Sequence, residues 1–349
     1  MDKFSEKLLD WYKINKRQLP WRNSNNPYYV WISEIILQQT KVSTGLKYFN
    51  TFVSKYPTIF DLSKSTEEEV LLIWQGLGYY SRAINILKTA KVVTNKYDGI
   101  FPNVYNDLIK LPGIGDYTAS AILSICFNKP YPVIDGNVYR VLSRYFDVNQ
   151  PINKHASKKI FHDLAKSTLD LKNPGDYNEA LMEFGALNCK PLKPLCHTCV
   201  LNEKCLSFKK NIVSLRPVKV QKKQKKVRFF NYLVPFDLEN NTIIIKREDN
   251  DIWKGLYEFP LIETSKTLNS DDLIYMYSLP SWAKQDGIFI SKIYEKIHYL
   301  THQELRTVFW LFKNVNHKFN FSLNSLRNYP LPKIIVDFMD NLVLRCNFD

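Results

Sequence analysis

The 349-residue chain has no run of about eighteen consecutive apolar residues, so no segment suits a membrane-spanning helix. Its N-terminal stretch MDKFSEKLLDWYKINKRQLPW lacks the apolar core of a secretory signal, and the expected compartment is the cytosol. Cysteine is scarce, at six residues, and a reducing compartment argues against disulfides. Internal repeats are absent, which removes solenoids and propellers. Acidic residues are missing altogether from 206–228, a stretch with nine basic ones. Disorder of the whole chain is excluded by 45% hydrophobic and 14% aromatic content. Length predicts two domains, or three.

The net charge is +14, unevenly spread. Residues 1–205 carry 26 basic and 19 acidic side chains, whereas 229–349 carry 13 and 15. Basic charge on the first half and the 206–228 stretch predicts a polyanion-binding surface with a separate module appended. The plainer alternative is a charge that serves solubility.

Four of the six cysteines lie in one short segment with the spacing C-x6-C-x2-C-x5-C: Cys189, Cys196, Cys199 and Cys205. Such clustering reads as a metal site, and spacing alone leaves zinc and a [4Fe–4S] cluster equally open. His197 lies between them, but four thiolates already complete a ligand set. Lys190, Lys193 and Lys204 fall in the same loop, where a rigid core would hold them at fixed points able to meet phosphates. Cys126 and Cys346 read as ordinary small apolar residues.

Residues 111–125, LPGIGDYTASAILSI, predict an apolar segment ending at Leu111, a P-G-I-G hairpin and a helix opening at Asp116. Gly113 and Gly115 let backbone amides approach an anion beside a helix N-terminus. A helix–turn–helix corner is the simpler reading of the same glycines. Downstream, YPVIDGNVYRVLSR at 131–144 places Asp135 just before a helix, where it is either an N-cap or a functional carboxylate. In WISEIILQQT at 31–40, Glu34 is the one acid on a helix with apolar Trp31, Ile32, Ile35 and Ile36. Burial there would raise its pKa; an exposed face would leave it an ordinary solvated Glu.

Hairpin, Asp and cysteine loop in this order resemble the endonuclease III, or helix-hairpin-helix, superfamily of DNA glycosylases, over roughly residues 1–205. The resemblance implies an all-α glycosylase domain with an iron–sulfur loop, and it makes the cluster [4Fe–4S]. A six-helix part is expected at about 23–130 and an iron–sulfur part at 1–22 plus 131–205. Bifunctional members carry a lysine two residues after the second hairpin glycine; here that position is Tyr117, and a phenol cannot form an imine. RQLPWR at 17–22 followed by 31–40 is similar to adenine-DNA glycosylases of the MutY type. That similarity implies Glu34 as catalytic acid and Asp135 as stabiliser of a sugar cation, with Asn137 and Tyr117 lining the site. It also implies Trp21 and Arg22 beside the substrate, and Gln39, Thr40, Leu77 and Tyr79 in segments that enter the duplex. From residues alone, core packing after the T-E-E-E capping box of 66–69 is the favoured reading of Leu77 and the tyrosines.

Residues 206–228 read as a basic interdomain linker, with an edge strand as the alternative for 227–230. Residues 229–349 read as a smaller α+β domain, with strand-like RFFNYLVP, TIIIK at 242–246 and TVFWLF at 307–312. WKGLYEFP at 253–260 resembles a Nudix-like domain, without the acidic box that binds metal in active hydrolases. MutY-type proteins sense 8-oxoguanine with a Phe-Ser-His loop in this domain; the nearest match is Leu300-Thr301-His302. His298 and His302 as plain surface residues are the alternative. The expected partner is double-stranded DNA with A·8-oxoguanine or A·G mispairs, bound by a monomer at the bacterial nucleoid, without a membrane. A glycosylase–lyase for oxidised pyrimidines and a non-catalytic iron–sulfur DNA-binding protein are the competing classes.

Overall fold

The computed structural model describes residues 3–22, 24–220, 224–248, 250–284 and 288–345, which leaves Cys346 outside the described residues. Its contacts divide the chain into two compact units. One comprises Met1–Lys64 with Asn85–Lys222; the other comprises Ser65–Ile84 with Lys223–Asp349. Among the described residues no helix is long and apolar enough to cross a membrane.

The first unit is helical. The helix Pro27–Leu37 starts where Asn26 caps the Tyr28 amide and Pro27 occupies the first turn. It is apolar on every side and buried along nearly its whole length, so it forms the centre of this unit. The helix Asp116–Phe127 packs against it and follows the hairpin expected from P-G-I-G. Gly113 sits at φ +76°, in the left-handed region, and a Cβ there would lie 2.8 Å from Asn85 Cβ. Thr89 holds the hairpin by donating to the Pro112 carbonyl at 2.7 Å.

Helix Pro174–Leu187 is the main brace. Gly175 meets the neighbouring Asp116–Phe127 helix so closely that a Cβ would sit 2.7 Å from the Ser124 carbonyl oxygen. At its other end, a Cβ on Gly185 would lie 2.7 Å from Asn137 Cβ, on the helix Gly136–Tyr145. Between them, Phe4, Leu8, Val138, Leu142, Phe161, Tyr177, Leu181 and Phe184 form a continuous core. Asn178 is buried and fastens the extended lead-in to Asp135: its Oδ1 accepts from the Val133 amide and its Nδ2 donates to the Tyr131 carbonyl.

Much of the stretch read as a linker folds onto this unit. Leu206–Lys209 is a short helix, the Ile152 amide donates to the Val218 carbonyl, and Asn153 exchanges two bonds with Val220. Its last residues enter the strand Lys226–Asp237 of the second unit.

The second unit is α+β, as its alternating apolar runs predict. A four-stranded sheet has the order Leu261–Thr264, Lys226–Asp237, Gln303–Val315, Phe289–Tyr299. The two central strands run parallel and the edges antiparallel. Trp310 is fully buried and donates its indole N–H to Asn231, which satisfies both polar groups inside the sheet. The helix beginning at Lys333 stacks Phe338 on Phe309 with centroids 4.2 Å apart. TIIIK differs from expectation. It splits into Asn241–Thr242 and Ile245–Lys246 because the two halves pair with different partners, Phe321–Ser322 and Tyr257–Glu258. The expected capping box is present: Thr66 accepts from the Glu69 amide, and Glu69 accepts from the Thr66 amide.

Candidate active site

Glu34 lies on the third turn of the buried Pro27–Leu37 helix and is 8% exposed. Burial pushes its carboxyl up to about 7, and the nearby Glu179 and Asp135 carboxylates act in the same direction. Tyr117, in the first turn of Asp116–Phe127, donates its hydroxyl to Glu34 Oε2 at 2.7 Å. This bond and the Arg22 charge pull the other way without reversing the rise. The Tyr117 phenol itself is held neutral, raised well above its ordinary range by burial and by Glu34.

Asp135 is the N-cap that one of the two readings expects, and it also lies on a cleft lining. It caps the Gly136–Tyr145 helix, its Oδ1 accepting from the Asn137 and Val138 amides at 2.8 and 2.7 Å. Asn137 Nδ2 donates to Oδ2 at 2.7 Å. Burial raises this carboxyl, and the three N–H donors oppose the rise by favouring its charged form. Asn137 is oriented in turn by Arg140, whose Nη2 donates to its Oδ1 at 2.8 Å.

Glu34, Tyr117, Asp135 and Asn137 line one cleft of about 1070 Å³, together with Trp21, Arg22, Gln39 and Thr40. Eight sequence-selected residues therefore share a single site. Trp21 contributes mainly as a wall, set edge-on against Phe49. Gln39 has φ +60°, a left-handed conformation for a non-glycine residue, directly after the Pro27–Leu37 helix.

The cleft also holds residues that motif reading passed over. Glu179 and Glu183 project from Pro174–Leu187 four residues apart, among buried Ala180, Leu181 and Phe184. Arg22 bridges them: Nε to Glu179 Oε1 at 3.2 Å and Nη2 to Glu183 Oε2 at 3.1 Å. Glu179 is raised by burial, against the pull of Arg22 and of the Tyr12 hydroxyl. Burial would raise Glu183 too, but hydrogen bonds from Arg17 and Arg22 outweigh it and hold the carboxyl at about 2. The available signal was acid at i and i+4 in an apolar helix, the same anomaly that marks Glu34.

These contacts place a buried carboxyl raised to about 7 and a second carboxyl held by three N–H donors on the lining of one open cleft. That pairing supports acid catalysis on a bound group with stabilisation of developing positive charge.

Comparison with known proteins places the chain. Residues 32–167 match the HhH-GPD superfamily of base excision DNA repair proteins, and residues 231–341 match the NUDIX domain. An adenine DNA glycosylase of Buchnera aphidicola subsp. Schizaphis graminum (strain Sg) is 38% identical over 306 residues, covering 86% of this chain and 83% of that protein. Another, from Buchnera aphidicola subsp. Acyrthosiphon pisum (strain APS), is 34% identical over 97% of both. The chain belongs to the adenine DNA glycosylase family. The chain is also similar to the solved structure of a thermostable thymine-DNA glycosylase, at 31% identity with TM-score 0.55, covering 59% of this chain and 95% of that one.

Three further groups of sequence-selected residues in this adenine DNA glycosylase relative lie apart from the cleft lining. Gly113 and Gly115 form the hairpin, with Gly115 opening onto free space at the start of the Asp116–Phe127 helix. Leu77 and Tyr79 occupy a loop of the second unit, in which Gly76, Gly78 and Tyr79 all have positive φ. Tyr79 is 42% exposed, so the core-packing alternative does not hold for it. Its hydroxyl meets the Thr301 Oγ1, 222 residues away in sequence. Thr301 and the exposed His302 form the turn between Phe289–Tyr299 and Gln303–Val315, and the His302 carbonyl accepts from the Lys226 amide. His298 instead packs half-buried beside Trp253.

Cys189, Cys196, Cys199 and Cys205 line one largely apolar cavity with Val141, Phe184 and Leu201. Among the described residues no group of three or more His, Cys, Asp or Glu side chains is arranged to hold a single metal ion. Arg144 Nη1 lies 3.4 Å from Cys189 Sγ and donates to the Lys190 carbonyl at 2.7 Å, and the Leu201 amide lies 3.4 Å from Cys199 Sγ. Burial raises the thiols of Cys196, Cys199 and Cys205, Cys199 to about 11. Lys190, Lys193 and Lys204 are exposed on the loop surface.

Proposed function

We propose that the chain excises adenine from duplex DNA in which it is mispaired with 8-oxoguanine or guanine, by a monofunctional route in which Glu34 is the acid. The observation that carries this reading is Glu34: buried, raised to about 7, bonded to Tyr117 and sharing its cleft with Asp135. Adenine leaves the base stack and enters the cleft. Tyr117 holds Oε2, which leaves Oε1 of Glu34 to carry the proton delivered to N7 of the purine. The N-glycosidic bond then breaks, its electron pair leaving with the base. The ionised Asp135, fixed by three N–H donors, stabilises the oxocarbenium-like sugar. The Glu34 carboxylate takes a proton from water as the hydroxyl adds to C1′. No amine stands at Tyr117, so no imine links enzyme and sugar.

Four thiols lining one apolar cavity, with N–H donors from Arg144 and the Leu201 amide, fit a multi-atom [4Fe–4S] cluster better than a single ion. When bound, it would cross-link the loop at Cys189, Cys196, Cys199 and Cys205 and so fix the three exposed lysines. The Tyr79–Thr301 contact supports a role for that pair in sensing the base opposite adenine, and Leu300 in place of an aromatic marks a departure from the family pattern.

The test is an excision assay on a duplex with A opposite 8-oxoguanine, developed with and without hot alkali. Strand cleavage only after alkali is expected. Cleavage without alkali would overturn the monofunctional reading, and no cleavage in either case would leave a DNA-binding protein without this activity.

A further inference from the structure

One wall of the cleft is a ladder of alternating charge. Glu183, 1% exposed, stands between two arginines. Arg17 gives it three bonds: its backbone amide and Nε to Oε1 at 2.9 and 2.7 Å, and Nη2 to Oε2 at 2.6 Å. Arg22 Nη2 reaches the same Oε2 at 3.1 Å. The other Arg22 nitrogens are also engaged, Nε by Glu179 Oε1 at 3.2 Å and Nη1 by the Arg17 carbonyl at 3.1 Å. Tyr12 completes the ladder, donating to Glu179 Oε2 at 2.9 Å while its ring lies 5.5 Å from the Arg22 guanidinium carbon.

The ladder therefore has two cations, two anions and no hydrogen bond to Glu34. That matters because Arg22 is a charge that acts on Glu34. A guanidinium turned onto Glu34 would ionise it and remove the proton that excision needs.

We infer that Glu183 is a positioning residue for excision: shared between Arg17 and Arg22, it holds the Arg22 guanidinium against Glu179, so that no cation competes with Tyr117 for the Glu34 carboxyl. This rests on the reading of Glu34 as the acid. The groups facing Glu34 are Tyr117 and, further along its helix, Cys126; Glu179 on Pro174–Leu187; Asp135 at the cap of Gly136–Tyr145; and Arg22 on the turn Pro20–Arg22. Lys41 and Arg140 lie on the cleft lining beyond them.

Two substitutions change the ladder's charge in opposite senses. Glu183→Gln keeps the shape and leaves Arg22 with one anionic partner. The alkaline limb of the excision rate should then move down by roughly one pH unit, which is a loss of about tenfold at pH 8 and none at pH 5.5. Arg17→Gln removes a cation and leaves Glu183 to Arg22 alone. Its limb should move up by a comparable amount. A scaffold role would lower thermal stability in both variants and move the two limbs together or not at all.

The experiment is the single-turnover excision rate from pH 5.5 to 9 on a saturating A·8-oxoguanine duplex, with thermal unfolding of each variant alongside. Opposite limb shifts bear the inference out. Limbs that stay in place or move together overturn it. Arg17 is 34% exposed, so Arg17→Gln is the milder change. Should Glu183→Gln fail to fold, the Arg17→Gln limb decides alone, upward in favour and unmoved or downward against. Glu34→Gln is run in parallel. Excision undiminished in that variant removes the acid assignment itself, whereas an inactive Glu34→Gln with unmoved limbs removes only the role of Glu183.

Discussion

Keeping a carboxyl buried and ready to give up a proton has a cost in stability that depends on pH, and Glu34→Gln exposes it. The Glu34 carboxyl titrates at about 7 in the folded chain against 4.5 in its ordinary state. The folded state therefore binds the proton more tightly than the unfolded state does. Stability linked to this group is fully present below the unfolded value and is lost as pH rises through the folded value. The full difference corresponds to about 3 kcal/mol, and most of it, about 2–3 kcal/mol, is lost between pH 5 and pH 8. Glutamine is uncharged at both pH values, and its Oε1 can still accept from Tyr117. The wild type should thus lose about 2–3 kcal/mol more than Glu34→Gln between pH 5 and pH 8. In a helical unit of this size that is a difference of roughly 5–10 °C in the change of melting temperature. The assay is thermal and urea unfolding of both proteins at the two pH values, read by tryptophan fluorescence. A stability difference that stays constant from pH 5 to pH 8 would refute the reasoning, because it would mean that Glu34 is not held protonated by its surroundings.

Asp135→Asn should preserve the helix cap, since an amide oxygen also accepts from the Asn137 and Val138 amides. The amide nitrogen that replaces Oδ2 faces the Asn137 Nδ2 donor, so stability should fall by about 1–3 kcal/mol, while single-turnover excision falls by about a hundredfold or more; a fall below tenfold would remove Asp135 as the cation stabiliser. Gly185→Ala places a methyl 2.7 Å from Asn137 Cβ and should cost about 1–3 kcal/mol in unfolding experiments. Thr301→Val removes the hydroxyl that meets Tyr79. Excision from A·8-oxoguanine and A·G substrates should become several-fold closer in rate; unchanged discrimination would separate this contact from recognition. Cys199→Ser should lower the iron and sulfide content of the purified protein, and full retention of both would exclude Cys199 as a ligand.

Local chemistry was legible wherever the deciding interactions lie within a few residues. The Thr66–Glu69 box, the Asp135 cap and the glycine hairpin all follow from neighbours one to four positions apart. The helical unit followed by an α+β unit is equally readable, because periodicity of apolar residues is a local property. TIIIK was misjudged for the complementary reason: each half takes a different strand as partner, and no property of the five residues reveals it.

The sequence by itself determined the elements, the cysteine spacing and the two carboxylates in suspicious settings. Only the tertiary structure decided what those carboxylates are. Glu34 is raised to about 7 because the packed helices bury it, and Tyr117, 83 residues away, donates to one of its oxygens. The grouping of Ser65–Ile84 with the second unit, the meeting of Tyr79 with Thr301 and the Arg17–Glu183–Arg22–Glu179 ladder are likewise products of distant chain segments. A side chain's protonation and partners depend on charges and dipoles within a few ångströms, and chain order says little about which ones those are.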